Sequence, residues 1–150
     1  MIVITRIDNR LIHGQIVQGW LPTLNVSEVL IVSQKAQQTP FMQKMLRLAL
    51  PGGYKLAVLG AVEAVKYCEG NKERLFIIIE DILTLQNMLK QGFAPKVITL
   101  GNTQFTKGKK QYSQGVFLSD AEAKELKTLE KEKNIIIEIR SLPTSLVTKL

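Results

Sequence analysis

Short apolar runs alternate along the chain with longer stretches whose apolar residues recur at helical spacing. The runs are rich in β-branched residues, which favour strands. The run 75–79, Leu-Phe-Ile-Ile-Ile, is apolar throughout, which is typical of a central parallel strand covered on both faces. The predicted strands are Met1–Ile4, Val29–Val32, Lys55–Leu59, Leu75–Ile79, Lys96–Leu100, Gly115–Leu118 and Ile135–Ile139.

The stretches between the runs predict helices. In residues 37–50, four apolar residues, Phe41, Met45, Leu48 and Ala49, fall on one helical face. The last predicted helix opens with Ser-Asp-Ala-Glu, the signature of a capping box. The predicted helices are Gly14–Leu21, Gln37–Leu50, Ala61–Cys68, Ile82–Gln91 and Ser119–Lys133.

Strands and helices follow one another with short connections and without a repeat, linker or low-complexity segment. This alternation predicts the α/β class, with an open, mostly parallel central sheet and helices on both faces. A chain of 150 residues with 45% hydrophobic content can bury one core of ordinary size. We therefore expect residues 1–150 to form a single domain.

Charge and cysteine content narrow the choice of partners. The 20 Lys and Arg exceed the 13 Asp and Glu, and a net charge of +7 suits an acidic protein, nucleic acid or an anionic membrane. Nucleic-acid binding is disfavoured, because aromatic residues make up only 6% and no aromatic-basic stripe is present. The single cysteine, Cys68, forbids an internal disulfide and fits a reducing cytosol.

The pattern also predicts a soluble, cytoplasmic protein. No Cys/His cluster offers a metal site, so we expect no metal. The first residues lack a signal-peptide pattern, and no apolar run approaches the roughly 18 residues of a membrane helix. Any work at a membrane is therefore expected to go through partner proteins.

Chemistry-bearing residues concentrate directly after the first predicted strand. Arg6, Asp8, Arg10 and His13, the only histidine, are followed at once by Gly14 and a predicted helix. Ligands of open α/β sheets bind at the carboxyl ends of strands and near helix N-termini. Guanidinium groups suit phosphate, and a neutral imidazole is a nucleophile. The combination predicts a site where the histidine side chain contacts a phosphate group.

Each of these residues also has a structural explanation when it is taken alone. His13 could be a surface or capping residue, and Arg6 and Arg10 could simply form ion pairs with Asp8. Gly14 could serve only to allow a tight turn. A related alternative is a non-catalytic phosphate- or nucleotide-binding α/β module with an unmodified histidine. Against that alternative, neither GxGxxG nor a Walker A motif is present.

The segment from Arg6 to Gln15, Arg-Ile-Asp-Asn-Arg-Leu-Ile-His-Gly-Gln, with Trp20 shortly after it, resembles the phosphorylation motif of a known family. This family is the IIB component of bacterial sugar phosphotransferase systems, in the mannose/fructose/sorbose branch that includes N-acetylgalactosamine transporters. Later segments are also similar to IIB sequences, and Gly101-Asn102 is closer to the galactosamine branch than to the mannose branch. Those later segments are 101–102, 107–111 and 139–143.

The resemblance implies that His13 takes a phosphoryl group from a phosphohistidine on a IIA partner and passes it to a sugar. The sugar would arrive through the membrane components IIC and IID, which would also hold the chain at the membrane. The resemblance implies the same α/β layout, and it implies that copies of the chain can associate. No cofactor is expected, because the phosphoryl group moves between nitrogen bases.

Roles for the motif residues follow from phosphoryl-transfer chemistry. Arg10 is expected to clamp the equatorial oxygens of the transition state, with Arg6 as a second cation or as a partner of Asp8. Asp8 would hold Arg10 or fix the histidine tautomer, since a carboxylate repels phosphate. The two remaining supports are the amides of Gly14 and Gln15 at the helix start.

Three further segments leave alternatives open. Gly101 and Asn102 could reach into the crevice of His13 or form only a turn. The basic cluster could dock an acidic IIA surface or be a solvated loop; it consists of Lys107, Lys109 and Lys110. Finally, Ser33-Gln34-Lys35 departs from the Asn-Asp-Glu common in the family, which bears on the partner or the sugar more than on the chemistry.

Overall fold

The computed structural model describes residues 1–150 and is built around one six-stranded sheet. All neighbouring strands in it are parallel, in the order β3-β2-β4-β1-β5-β8. A separate antiparallel ribbon pairs β6 with β7. The strands are β1 (Ile2–Asp8), β2 (Glu28–Val32), β3 (Lys55–Leu59), β4 (Leu75–Ile79), β5 (Val97–Asn102), β6 (Lys110–Ser113), β7 (Val116–Leu118) and β8 (Ile136–Ile139).

Helices cover both faces of the sheet. A π-helix, Gln15–Trp20, follows β1 and continues into a 3₁₀ turn, Leu21–Thr23. None of the helices is long and apolar enough to cross a membrane. The α-helices are α1 (Gln34–Gln37), α2 (Pro40–Ala49), α3 (Ala61–Gly70), α4 (Ile82–Lys90) and α5 (Asp120–Lys133).

Alternate side chains of the central strands enter two separate cores. In β4, Leu75, Ile77 and Ile79 face α3, α4 and α5, whereas Phe76 and Ile78 face the π-helix, α1 and α2. All five side chains are fully buried, which explains why this strand is apolar without interruption. The predicted α/β class with a parallel sheet between two helix layers is confirmed.

The structure corrects several predicted elements. The first strand runs to Asp8 and not only to Ile4, so Arg6 and Asp8 lie on the strand and not in the loop. The strand predicted around Val116 is not part of the central sheet, because it pairs only with β6. The helix predicted over 37–50 begins at Pro40, since proline is tolerated at the first helical position but not in the interior.

The apolar face predicted for this helix points away from the core. Phe41, Met45 and Leu48 are exposed, and the helix packs on the sheet through Leu46 and the half-buried Met42. Both sides of α2 are apolar, so the sequence pattern alone does not decide which side is buried. The packing against β2 and the π-helix decides which side of α2 is buried.

Candidate active site

The loop after β1 turns the end of the central strand into a compact polar cluster. β1 lies between β4 and β5, so the loop stands at the carboxyl ends of the strands. The backbone amide of Asn9 donates to the carbonyl of Asn102 (3.1 Å), and the Asn102 side-chain amide donates to Asn9 Oδ1 (2.6 Å). These two hydrogen bonds fasten the start of the loop to the end of β5.

Asp8 is the centre of the cluster. Its fully buried carboxylate is contacted through Oδ2 by Arg6 Nε (3.3 Å), Arg10 Nη2 (2.9 Å) and His13 Nε2 (3.1 Å). Oδ1 accepts hydrogen bonds from the backbone amide of Arg10 (3.1 Å) and from its Nε (2.9 Å). Burial alone would raise the pKa of Asp8, but the hydrogen bonds from His13 and Arg10 lower it to about 2. The carboxylate is therefore charged at neutral pH.

The charge on Asp8 decides the tautomer of His13. An ionised carboxylate only accepts hydrogen bonds, so Nε2 of the neutral ring must carry the proton. Nδ1 then has a lone pair, and it accepts the backbone N–H of Gln15 at 3.3 Å. The two contacts agree on one assignment, Nε2–H, which leaves Nδ1 as the nucleophilic nitrogen. The His13 side chain as a whole retains 18% of its exposure, so the ring is not closed off from solvent.

Arg10 stands at the open side of the cluster. Its side chain is 37% exposed, and its Nη2 also donates to Gln15 Oε1 at 3.2 Å. Nη1 has no hydrogen-bond partner in the chain, so its N–H groups are free to meet an anion. Asp8 holds Arg10 through two parallel hydrogen bonds, a geometry that fixes the plane of the guanidinium.

Arg6, by contrast, is buried completely and its donors are used inside the protein. Nη1 donates to the carbonyl of Arg140 (2.7 Å) and Nη2 to that of Ser141 (3.1 Å). The guanidinium lies 4.9 Å from the ring centre of Trp20, whose indole N–H donates to the same Ser141 carbonyl at 2.9 Å. Burial lowers the pKa of Arg6, and Asp8 opposes that shift. Its contacts match the role of ion-pair partner of Asp8, and not that of a second cation toward a ligand.

The two glycines of the predicted site differ in their surroundings. A Cβ on Gly101 would lie 2.1 Å from Arg6 Nη2, so glycine here makes room for the buried guanidinium. Gly14 has φ −53° and a Cβ on it would meet nothing within 4 Å, so no tight turn requires glycine there. Gly101 thus contributes to the site by allowing Arg6 to pack against β5. Gly14 leaves open space beside His13 at the start of the π-helix.

The three lysines of the basic cluster are not equivalent. Lys109 Nζ lies 3.3 Å from Glu122 and Lys110 Nζ 3.1 Å from Asp120, both acids at the start of α5. Lys107 is exposed and forms no ion pair. Lys110 also begins β6, so the cluster spans a loop and the first residue of a strand. Lys107 is the member with an uncompensated charge.

Sequence reasoning missed two features of the site. Leu11 has φ +60°, the left-handed region, and is nevertheless buried. This conformation turns the chain so that Arg10 and His13 both reach Asp8, and a leucine gives no local signal of it. The second feature is the pair of carbonyls at 140 and 141, which hold Arg6 from the far end of the chain.

The fold and this loop define an α/β domain with a histidine–carboxylate site at the carboxyl ends of its strands, and comparison with known proteins gives the family. The family model described as "PTS system sorbose subfamily IIB component" matches residues 2–149. The chain therefore belongs to the sorbose subfamily of IIB components, and the family expected from the motif is confirmed.

Relatives cover nearly the whole chain at modest identity. The N-acetylgalactosamine-specific phosphotransferase enzyme IIB component 1 of Escherichia coli (strain K12) is 26% identical over 145 residues, 95% of this chain and 91% of that protein. The sorbose-specific EIIB component of Klebsiella pneumoniae is 29% identical over 136 residues, which cover 87% of this chain and 81% of that protein. The crystal structure of manxB from Thermoanaerobacter tengcongensis matches with a TM-score of 0.90 at 29% identity, covering 98% and 90% of the two chains.

Proposed function

We propose that His13 is the phosphoryl carrier of this IIB component. It accepts a phosphoryl group from a phosphohistidine on a IIA component and donates it to a sugar translocated by the membrane components IIC and IID. One observation carries the proposal: Nε2 of the ring donates to the buried carboxylate of Asp8 at 3.1 Å, which leaves the Nδ1 lone pair for attack. The activity is that of a phosphohistidine–sugar phosphotransferase.

In the first step, His13 Nδ1 attacks the phosphorus opposite the donor nitrogen. A new N–P bond forms, the N–P bond of the donor breaks, and its electron pair returns to the donor imidazole. Negative charge is spread over three equatorial oxygens in the transition state. The donors we assign to these oxygens are the free Nη1 of Arg10 and the Gln15 amide, which gives up its hydrogen bond to Nδ1 when that nitrogen attacks. The amide of Gly14, at the start of the same helix, is a further candidate.

Asp8 balances the charge that this step creates on the ring. Once Nδ1 carries phosphorus and Nε2 keeps its proton, the imidazole becomes cationic, and the carboxylate 3.1 Å from Nε2 stabilises it. Arg6 in turn stabilises Asp8, since the buried carboxylate would otherwise face one arginine alone. Gly101 and Asn102 support this arrangement from β5 through the packing and the hydrogen bond described above.

In the second step the bond between Nδ1 and phosphorus breaks as a sugar hydroxyl attacks. The electron pair returns to the His13 ring, which becomes neutral again with its proton still on Nε2. The proton of the sugar hydroxyl leaves to a base supplied on the acceptor side. The chain thus ends the cycle in the tautomer in which it began.

The proposed partners meet the chain at the carboxyl ends of the strands. A IIA donor must bring its phosphohistidine to His13 there, and the unpaired Lys107 lies in the loop after β5 at the same edge. We assign the long-range attraction of an acidic IIA rim to the basic cluster of Lys107, Lys109 and Lys110, of which Lys107 alone forms no ion pair. We place the chain in the cytoplasm, held at the membrane by IIC and IID, and able to self-associate.

Labelling with phosphoenolpyruvate tests the proposal. The chain is incubated with the general phosphotransferase proteins and a IIA component, and the expected result is one acid-labile phosphoryl group per chain. His13→Ala should take up none while retaining the melting temperature of the parent within a few degrees, because His13 contributes little to either core. Full labelling of His13→Ala, or an acid-stable label on the parent, would overturn the proposal.

A further inference from the structure

One helix presents an apolar stripe to solvent on the same sheet face as the π-helix. Phe41, Met45 and Leu48 of α2 are exposed to 70%, 50% and 72%, although the opposite side of the helix is already packed through Leu46. The spacing of four and then three residues sets them in a row along the helix, about 10 Å long. We call this row the α2 stripe.

The helices on this sheet face carry exposed charges of one sign. Residues 1–62 contain only two acidic residues, Asp8 and Glu28, and both are buried. The exposed charges of the helices on this face are therefore cationic. Lys44 and Arg47 lie on α2 itself and form no ion pair with a carboxylate. An apolar row flanked on its own helix by cations, with no carboxylate on that helix, is the pattern of a helix that lies at an anionic bilayer surface.

We infer that the α2 stripe docks the chain directly on the anionic lipid surface of a membrane, with Lys44 and Arg47 at the headgroups. The stripe side chains protrude and line none of the five main cavities of the molecule, so they suit insertion between lipids, which needs no complementary pocket. A second copy is a poor occupant, because a two-fold contact would set the same cations against each other.

This contact would be weak and reversible, as expected for three apolar side chains and a few cations. It would raise the local concentration of the chain at the membrane where a IIC/IID acceptor resides, without altering the chemistry at His13. The inference stands apart from the phosphoryl chemistry, since labelling by a IIA component in solution needs no membrane. The two can therefore fail independently.

Vesicle binding of the whole chain tests the inference. The parent should bind vesicles that contain phosphatidylcholine and phosphatidylglycerol, and it should dissociate from them at high salt. It should not bind vesicles of pure phosphatidylcholine. The triple variant Phe41→Glu, Met45→Glu, Leu48→Glu should bind at least about tenfold more weakly. The matched control is Val62→Glu, Leu83→Glu, Leu146→Glu, which adds the same three charges at exposed apolar positions elsewhere and should lose much less affinity.

A second measurement detects insertion directly. The only tryptophan, Trp20, is buried, so a Phe41→Trp variant adds one exposed indole. Brominated lipids should quench the added fluorescence in Phe41→Trp but not in Leu83→Trp. Absence of quenching, or equal losses in the two triple variants, would overturn the inference. Binding only to membranes that contain IIC and IID would overturn it as well, and would assign the stripe to a protein partner.

Discussion

Asp8 Oδ2 and His13 Nε2 are 3.1 Å apart, and this pair joins the fold to the chemistry. The carboxylate comes from the last residue of the central strand and the imidazole from the loop that follows it. Because Arg6 and Arg10 bind the carboxylate and hold it in place, and because it is charged, the ring has one orientation and one tautomer. The proposed nucleophile, Nδ1, is left without a proton because of this contact.

Replacing Asp8 with asparagine should disable transfer more than folding. An amide can neither enforce the Nε2–H tautomer nor stabilise a cationic ring, so we expect the transfer rate to fall roughly 10²- to 10³-fold. NMR of the ring nitrogens should show a mixture of tautomers in place of one. Glu28→Gln is the matched control, since it removes another buried carboxylate, bound by Tyr67 and Asn71, and should leave the rate unchanged. Equal rates for Asp8→Asn and the parent would refute the role of Asp8.

Arg10→Lys separates charge from geometry. Lysine keeps the positive charge, but it cannot hold Asp8 through two parallel hydrogen bonds and still offer a free Nη1. We expect a loss of about 3 kcal/mol of transition-state stabilisation, roughly two orders of magnitude in rate. The rate is measured by rapid quench with phosphorylated IIA. Arg47→Lys, an exposed arginine that binds backbone carbonyls, should behave as the parent. A normal rate in Arg10→Lys would reduce Arg10 to a structural ion pair.

The two glycines of the site should respond in opposite ways to alanine. Gly101→Ala pushes a methyl group into the buried guanidinium of Arg6 and should destabilise the protein by about 1–3 kcal/mol. Gly14→Ala meets open space at a helical φ and should stabilise it by about 0.4–1 kcal/mol. Urea denaturation measures both. If Gly101→Ala were as stable as the parent, Arg6 could not be packed as tightly against β5 as described.

Lys107 should dominate the salt dependence of the encounter with IIA. Lys107→Gln removes one positive charge at the carboxyl ends of the strands, whereas Lys133→Gln removes an equal charge at the end of α5, just before the amino end of β8. We expect the first variant to lower the second-order transfer rate at low salt, and the second to change it little. The difference should vanish at high salt, since the Debye length is only about 8 Å at physiological ionic strength. Identical salt slopes for both variants and the parent would place IIA elsewhere.

The sequence predicted the architecture because its signals are local. Strand 75–79 is uninterrupted because both its faces are buried, and the capping box at Ser119 forms as expected, with Ser119 and Glu122 each accepting the other's backbone amide. The orientation of α2 could not be predicted in this way. Its two sides are similarly apolar, and only the packing on the sheet shows that Leu46 is inside and Phe41 outside.

The candidate site was predictable in its members but not in its internal roles. Arg6 and Arg10 look alike in the sequence, yet one is buried behind the carboxylate and the other stands in front of it. The difference arises from the carbonyl of Arg140, 134 residues away from Arg6, and from the space beside Gly101. Such long-range contacts leave no periodic trace in the sequence. The left-handed conformation of Leu11 could not be predicted from the sequence either, since leucine does not favour it.

The most direct test of His13 Nδ1 as the phosphoryl carrier is the position of the phosphoryl group on the ring. His13 is the only histidine, so a chain labelled with ¹⁵N-histidine gives one pair of ring nitrogens to observe. After phosphorylation by IIA, we expect the phosphorus to couple to Nδ1 while Nε2 keeps its proton and its bond to Asp8. A phosphoryl group on Nε2, or a ring that stays unmodified under full phosphoryl flux, would contradict the central claim.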